Sequence, residues 1–206
     1  MTKFVLPEGE RTVLFEDLVI ATKNHGKFSE FQRMLQGVAK VVRMVPDDFS
    51  MPEETGDTFE DNAYAKARAV SLALGVPALA DDSGLMVDAL QGAPGVYSAR
   101  FGGEGLDDAG RTRLLIARLA HVPWEARTAK FVAALALVRP DGESWQAVGE
   151  CPGMILLAPS GEQGFGYDPV FYYPPLERAF AQLNVEEKNQ ISHRTRALQQ
   201  LIRQLS

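Results

Sequence analysis

Apolar positions along the chain follow two rhythms. Leu18-Val19-Ile20-Ala21-Thr22 is a short continuous apolar run, the mark of a buried strand, and the polar turn Lys23-Asn24-His25-Gly26-Lys27 follows it. Beyond the turn, Phe28, Phe31, Met34 and Leu35 recur at helical spacing until Gly37. The opening of the chain therefore reads as strand, tight polar turn, helix. A second extended stretch is expected over residues 38–45. Asp57 with Glu60 three residues later reads as a helix N-cap, and Phe59, Ala63, Ala67, Val70 and Leu74 form one face of a helix that Gly75 closes.

Residues 77–80 are a brief apolar run ending in Asp81-Asp82-Ser83-Gly84, and residues 85–90 continue as strand or turn. The Gly-rich residues 92–105 read as a surface loop. Leu114, Leu115, Ile116 and Leu119 mark a helix beginning near Asp107. Thr128–Val138 and residues 144–148 flank Pro140-Asp141-Gly142, a hairpin signal. Residues 161–166 form another Gly-rich turn. Asn184 with Glu187 caps a final helix whose apolar face is Ala197, Leu198, Leu201, Ile202 and Leu205. Early alternation of strands and helices with a late hairpin predicts an α/β domain with a mixed sheet. No internal repeat or low-complexity linker divides the 206 residues, so a single domain is expected.

Composition narrows the function classes. Lys plus Arg is 21 and Asp plus Glu is 27, a formal charge of −6, which offers no general basic surface for nucleic acid. The one cysteine, Cys151, can form neither an intramolecular disulfide nor a thiolate metal cage and reads as a small buried hydrophobe. Pro7-Glu8-Gly9-Glu10-Arg11 interrupts the first residues and leaves no apolar core of signal-peptide length. No apolar run is long enough to span a bilayer. A cytoplasmic protein without membrane or nucleic-acid partners is expected.

Four segments could carry chemistry. The turn Thr22, Lys23, Asn24, His25, Gly26, Lys27 leads from a strand into a helix, where backbone N–H groups and the positive helix end converge on one spot and Lys27 adds a full charge. That suits a triphosphate. It is not a Walker A loop, because Ala21 stands where that motif has glycine. The same residues also suit an ordinary helix start with a solvated lysine. Asp81-Asp82-Ser83-Gly84 and the loop Met51-Pro52-Glu53-Glu54-Thr55-Gly56 each supply carboxylates; one from each would hold Mg²⁺, which takes one or two carboxylates plus substrate phosphates. Turn capping and solvation would account for them equally. In Gly164-Phe165-Gly166-Tyr167-Asp168-Pro169, two glycines around an aromatic let the backbone approach a flat ligand, with Phe165 or Tyr167 to stack on a base and Asp168 to accept hydrogen bonds; a plain turn with core aromatics fits the same residues. Lys188-Asn189-Gln190-Ile191-Ser192-His193-Arg194 gathers three basic groups in a net-acidic chain; Lys188 and Ser192 stand one helical turn apart.

Taken jointly and in this order, these segments resemble the inosine triphosphate pyrophosphatase family, in particular its bacterial dITP/XTP pyrophosphatases. The resemblance rests on Ala21 to Lys27, Glu53-Glu54-Thr55-Gly56, Ala80-Asp81-Asp82-Ser83-Gly84-Leu85, Gly92-Ala93-Pro94-Gly95-Val96-Tyr97-Ser98-Ala99-Arg100, Gly164 to Pro169 and Ile191-Ser192-His193-Arg194. It covers about residue 18 to the C-terminus and sets residues 1–17 apart as an N-terminal extension before a single domain over 18–206. It implies an elongated mixed β-sheet flanked by helices, two lobes with a central cleft, and a homodimer. It implies hydrolysis of inosine, deoxyinosine and xanthosine triphosphates between the α and β phosphates, giving monophosphate and pyrophosphate and clearing the nucleotide pool. A non-catalytic nucleotide sensor using the same residues is the alternative.

The resemblance also distributes roles. It makes Asp82 the catalytic acid and, with Glu53, a ligand of Mg²⁺. It makes residues 22–27 the phosphate loop, and Ser83, Phe165, Gly166, Tyr167, Asp168, Lys188, His193 and Arg194 the nucleotide contacts. One departure is Lys23, where relatives usually carry a small or polar residue. His193 and Arg194 are hydrogen-bond donors. They would pair with the 6-keto oxygen of hypoxanthine or xanthine and face adenine donor to donor.

Overall fold

The computed structural model describes residues 13–103 and 105–205. Among the described residues, seven strands are hydrogen-bonded in the order β2-β1-β3-β4-β5-β6-β7. Strand β1 (Phe15–Ile20) runs parallel to both β2 (Ala39–Met44) and β3 (Ala78–Val87). The strand β5 (Ser144–Ile155) pairs antiparallel with β6 (Phe171–Tyr173), and β6 pairs antiparallel with β7 (Arg178–Ala179). The sheet is therefore mixed, as the pattern predicted. The helices are α1 (His25–Met34), α2 (Phe59–Leu74), α3 (Asp108–Leu119), α4 (Val185–Ile191) and α5 (His193–Leu205). No helix among the described residues is long and apolar enough to cross a membrane.

The chain divides into two compact units. The first takes the described residues of Met1–Asp82, Ala133–Gly149 and Arg194–Ser206; the second takes those of Ser83–Val132 and Glu150–His193. In the first, Phe15, Leu18 and Ile20 of β1, Phe31 and Met34 of α1, Leu79 of β3, and Leu135 and Leu137 of β4 (Thr128–Val138) form a core that Ala197, Leu198, Leu201 and Ile202 of α5 complete. In the second, Leu85 and Val87, Leu115 and Leu119 of α3, Phe131, Cys151, Phe171 and Phe180 form the core. The Phe171 and Phe180 rings meet edge to face with centroids 4.7 Å apart. Cys151 is fully buried there, as its reading as a small hydrophobe expected.

Several elements differ from their sequence reading. Helix α2 is capped by Thr58, whose Oγ1 accepts from the Asp61 N–H at 3.1 Å, one residue past the expected Asp57–Glu60 pair. Gly75 closes it in the left-handed conformation, φ +66°, as predicted. The expected final helix is two helices: α4 begins at the Asn184–Glu187 capping box, Ser192 turns extended, and α5 starts at His193. Lys188 and Ser192 are thus not partners on one helix face; the Ser192 N–H closes α4 on the Lys188 carbonyl at 3.0 Å. Within the Gly-rich stretch, Gly95–Arg100 is a short 3₁₀ helix rather than open loop. The extension expected over residues 1–17 falls outside the described residues up to residue 12; Phe15, Glu16 and Asp17 already belong to β1.

Candidate functional site

The first unit concentrates charge around the middle of β3. Successive residues of a strand face opposite ways, so Asp81 and Asp82 collect different partners. Asp81 Oδ2 takes Lys27 Nζ at 2.7 Å and Arg194 Nε at 3.4 Å. Arg194 in turn reaches Glu30 of α1, Nη1 to Oε2, at 2.9 Å. Asp82 accepts from the Asn62 amide at 3.0 Å and from Lys66 Nζ at 3.4 Å. Lys66 also holds Glu54 at 2.6 Å and donates to the Asp81 carbonyl at 3.0 Å. The sequence placed the two aspartates at a strand end. They lie inside β3 instead, and the surrounding cations and amide compensate for carboxylates in a buried strand.

Local structure explains how each side chain arrives. Asn24 caps α1, its Oδ1 accepting from the Lys27 N–H at 3.0 Å, and Thr22 Oγ1 accepts from the Asn24 N–H at 3.1 Å. These two bonds fix the turn, so His25 and Gly26 begin the helix and Lys27 reaches Asp81 from its first turn. No acidic residue occupies that first turn, so the positive helix end is not neutralised by a carboxylate beside it on the helix. Lys23 is exposed and points to the Asp47 carbonyl at 2.9 Å. On α2, Asn62 and Lys66 stand four residues apart and both are buried. Asn62 also bonds the Gly56 N–H at 2.8 Å, tying the acidic loop to the helix.

Electrostatics separates the two aspartates. Burial pushes both carboxyls up. At Asp81 the Lys27 and Arg194 charges outweigh it and hold the group well below the usual carboxylate range. At Asp82 burial prevails over Lys66, and the Glu54 charge adds to it, so Asp82 ends above the ordinary value. Lys27 is lowered by burial, which the Asp81 charge only partly offsets. Lys66, also buried, is raised because Asp82 and Glu54 together outweigh burial.

The expected metal ligands are Glu53 and Asp82. Glu53 is exposed; its neighbour Glu54 is the loop acid bound to Lys66. Among the described residues no group of three or more His, Cys, Asp or Glu could by itself hold a metal. The donors present are hard carboxylate oxygens. They fit an ion that takes one or two carboxylates and completes its shell with substrate phosphates and water.

The second unit builds a different cluster. Asp168 and Lys188 are both buried and meet at 2.6 Å. Asp168 Oδ2 also accepts from the Phe165 N–H at 3.0 Å, folding the turn over itself. Gly164 sits at φ +78°, and a Cβ there would collide with that carboxylate oxygen, so glycine is required twice over. Lys188 Nζ lies 4.9 Å from the centre of the Phe165 ring. Tyr167 is buried and donates to the Ser98 carbonyl at 2.9 Å; burial pushes its phenol up. The His193 ring stacks on Phe131 at 4.9 Å and 15°. Ser83 follows Asp82 in β3 and is half-buried.

Lys27 and Arg194 thus share the Asp81 carboxylate, while Phe165, Asp168 and Lys188 form a second group. Sequence reasoning missed Glu30, Asn62 and Lys66 and offered Asp81 only as one of the carboxylates of its segment. The available signal was polar: Asn62 and Lys66 adjoin the apolar face set by Phe59, Ala63 and Ala67.

Comparison with known proteins shows the family to which the chain is similar. The Ham1 family model matches residues 18–204. A dITP/XTP pyrophosphatase of Symbiobacterium thermophilum is 50% identical over 191 residues, 91% of this chain and 94% of the relative. One of Halalkalibacterium halodurans is 45% identical over 188 residues, 90% and 97% respectively. Among solved structures, the Staphylococcus aureus Ham1 protein superimposes with TM-score 0.80 at 41% identity, covering 92% of this chain and 97% of that one. The Mycobacterium abscessus nucleoside-triphosphatase, or dITP/XTP pyrophosphatase, gives TM-score 0.71 at 45% identity, with 90% and 98% covered.

Proposed function

Since the chain belongs to the Ham1 family, we infer that it hydrolyses non-standard purine nucleoside triphosphates (dITP, ITP and XTP) to the monophosphate and pyrophosphate. The observation that carries this reading is the charge cluster on β3. One aspartate, Asp81, is paired with two cations and kept ionised, while its neighbour Asp82 has its proton affinity raised. A carboxylate that binds its proton above the ordinary range is a better general base near neutral pH.

In this mechanism Asp82 orients the attacking water and accepts its proton. Asn62 and Lys66 hold the Asp82 carboxylate in one rotamer. Lys27 and the N-terminus of α1 bind the triphosphate, with Thr22 and Asn24 fixing the turn that aims them. Lys23, His25 and Gly26 complete that loop. Glu53 and Asp82 would hold Mg²⁺, which when bound neutralises charge on the phosphates. Glu54 is committed to Lys66, which supports Glu53 as the loop ligand. In the second unit Phe165 stacks on the purine, Lys188 and Asp168 keep the turn in shape, and Gly166, Tyr167 and Ser83 line it. His193 and Arg194 donate toward the 6-keto oxygen, which adenine lacks. A homodimer in the cytoplasm, without nucleic-acid or membrane partners, completes the proposal.

The test is a panel of ITP, dITP, XTP, ATP, GTP and dTTP with Mg²⁺, read as pyrophosphate against orthophosphate. Pyrophosphate from the first three, with ATP and GTP slow, is expected. Orthophosphate release would refute the bond assignment. Binding of ITP without turnover would make the protein a sensor.

A further inference from the structure

The turn assigned to the purine is anchored from outside itself. Gly166 lies at φ +62° with open space where a side chain would stand. Both of its backbone groups are nonetheless taken, and by one helix. Its N–H donates to Asp108 Oδ2 at 2.9 Å, and its carbonyl accepts from Thr112 Oγ1 at 3.5 Å. Asp108 and Thr112 are four residues apart on α3, hence on one face. Asp107 caps that helix by accepting from the Gly110 N–H at 2.7 Å, so Asp108 is its first residue. A carboxylate is favoured there by the helix dipole. Arg111 Nη1 steadies the other Asp108 oxygen at 3.2 Å.

Two other amides bond within the turn: Phe165 N–H to the Asp168 side chain and Asp168 N–H to the Phe165 carbonyl at 3.3 Å. Gly166 thus ties the turn to α3, through the shorter amide bond to Asp108 and the longer carbonyl bond from Thr112. A left-handed glycine next to an aromatic has wide rotational freedom once released, and the plane of the Phe165 ring would lose its definition with it.

We propose that Asp108 is a positioning residue for purine recognition, fixing the Gly164-Phe165-Gly166 turn through the Gly166 amide so that Phe165 is presented in one orientation. The role rests on the assignment of this turn to the purine, and it extends that assignment to a residue of α3 that touches no nucleotide. Asp108 acts as an acceptor of fixed position, so its oxygen matters and its charge is secondary. The Asp108 side chain is 59% exposed, so replacing it leaves the core intact.

The experiment compares Asp108→Ala, Asp108→Asn and Phe165→Ala with the unaltered protein, by amide hydrogen exchange without nucleotide and by steady-state hydrolysis of ITP and ATP. In Asp108→Ala the Gly166 amide should exchange at least tenfold faster. KM for ITP should rise about tenfold with kcat within twofold, in line with loss of one hydrogen bond. The ITP-over-ATP ratio should fall. Asp108→Asn, which keeps an oxygen acceptor, should restore most of both. Unchanged KM and ratio despite faster exchange would overturn the proposal. So would an equal loss in Asp108→Ala and Asp108→Asn, or a drop in kcat alone. A Phe165→Ala variant with normal KM would remove the purine assignment itself and the proposal with it.

Discussion

Lys66→Met is the most demanding test of the β3 cluster. Lys66 Nζ bridges Glu54 at 2.6 Å and Asp82 at 3.4 Å. With an effective dielectric of about 20, Coulomb's law gives about 6 and about 5 kcal/mol for unit charges at those separations. Desolvation of the lysine cancels much of this, so the sum is not the stability change. Removing one member of a buried ion pair costs about 3–5 kcal/mol, chiefly because the other charge is left buried. Here the Lys66 and Asp82 side chains are 9% and 7% exposed, whereas Glu54 is 31% exposed and can rehydrate. Asn62 still bonds Asp82. The low end applies, about 3 kcal/mol near neutral pH, or about 6–12 °C in Tm for a chain of this length.

The assay is urea unfolding of the unaltered protein, Lys66→Met, Asp82→Asn and the double variant, at about pH 8 and about pH 4.5. With Asp82 neutral, Lys66→Met should cost about 1 kcal/mol, so the cycle should show roughly 2 kcal/mol of coupling. The loss should also shrink at the lower pH. Burial raises the proton affinity of Asp82, so as the pH falls the bridge loses this anion sooner than an ordinary carboxylate would be lost. Additive losses in the double variant, or a loss independent of pH, would refute the bridge as the stabilising element.

Three further outcomes follow. The pH profile of kcat/KM should be bell-shaped: Asp82 must be ionised and Lys27 charged, so the acid limb falls above the ordinary carboxylate value and the alkaline limb below the ordinary lysine value; Lys27→Arg should move the alkaline limb upward. Gly164→Ala, which forces a Cβ onto the Asp168 carboxylate in a left-handed backbone, should destabilise by about 1–3 kcal/mol and raise KM for ITP with little change in kcat, measured by melting and steady-state rates. Chelation should abolish turnover and added Mg²⁺ restore it; in metal titrations Glu53→Gln should weaken activation more than Glu54→Gln, and the reverse order would move the ligand to Glu54.

What could be read from the sequence was whatever rests on local rules. The Asn184–Glu187 cap, the helix start near Asp107 and Gly75 as a helix stop all follow from neighbours within a turn. The α2 cap slipped by one residue because Asp57–Glu60 and Thr58–Asp61 satisfy the same rule. Only the second register puts Phe59 at the first buried helical position. The break at Ser192 leaves no mark in the apolar spacing, since Ala197, Leu198 and Leu201 keep their period beyond it. Asp81 and Asp82 looked like a strand end because buried strands rarely contain acids. Their compensation comes from Lys27, Asn62, Lys66 and Arg194, and Arg194 is 113 residues from Asp81. No periodicity links residues so far apart, so the loop and the aspartates were visible as motifs while their mutual pairing was not.

The first unit's core sets a schedule for synthesis. Phe15, Leu18 and Ile20 leave the ribosome early, yet the helix that seals them carries Ala197, Leu198, Leu201 and Ile202. Until that helix emerges, the parallel ladder of β1 with β2 and β3 has an unsealed apolar side, and closure must span nearly the whole polypeptide. Such long-range closure is slow, and in the interval the exposed apolar surface is prone to aggregation. Shortening the chain within α5 would therefore leave the first strands uncovered and would be felt at residue 15 as strongly as at residue 200.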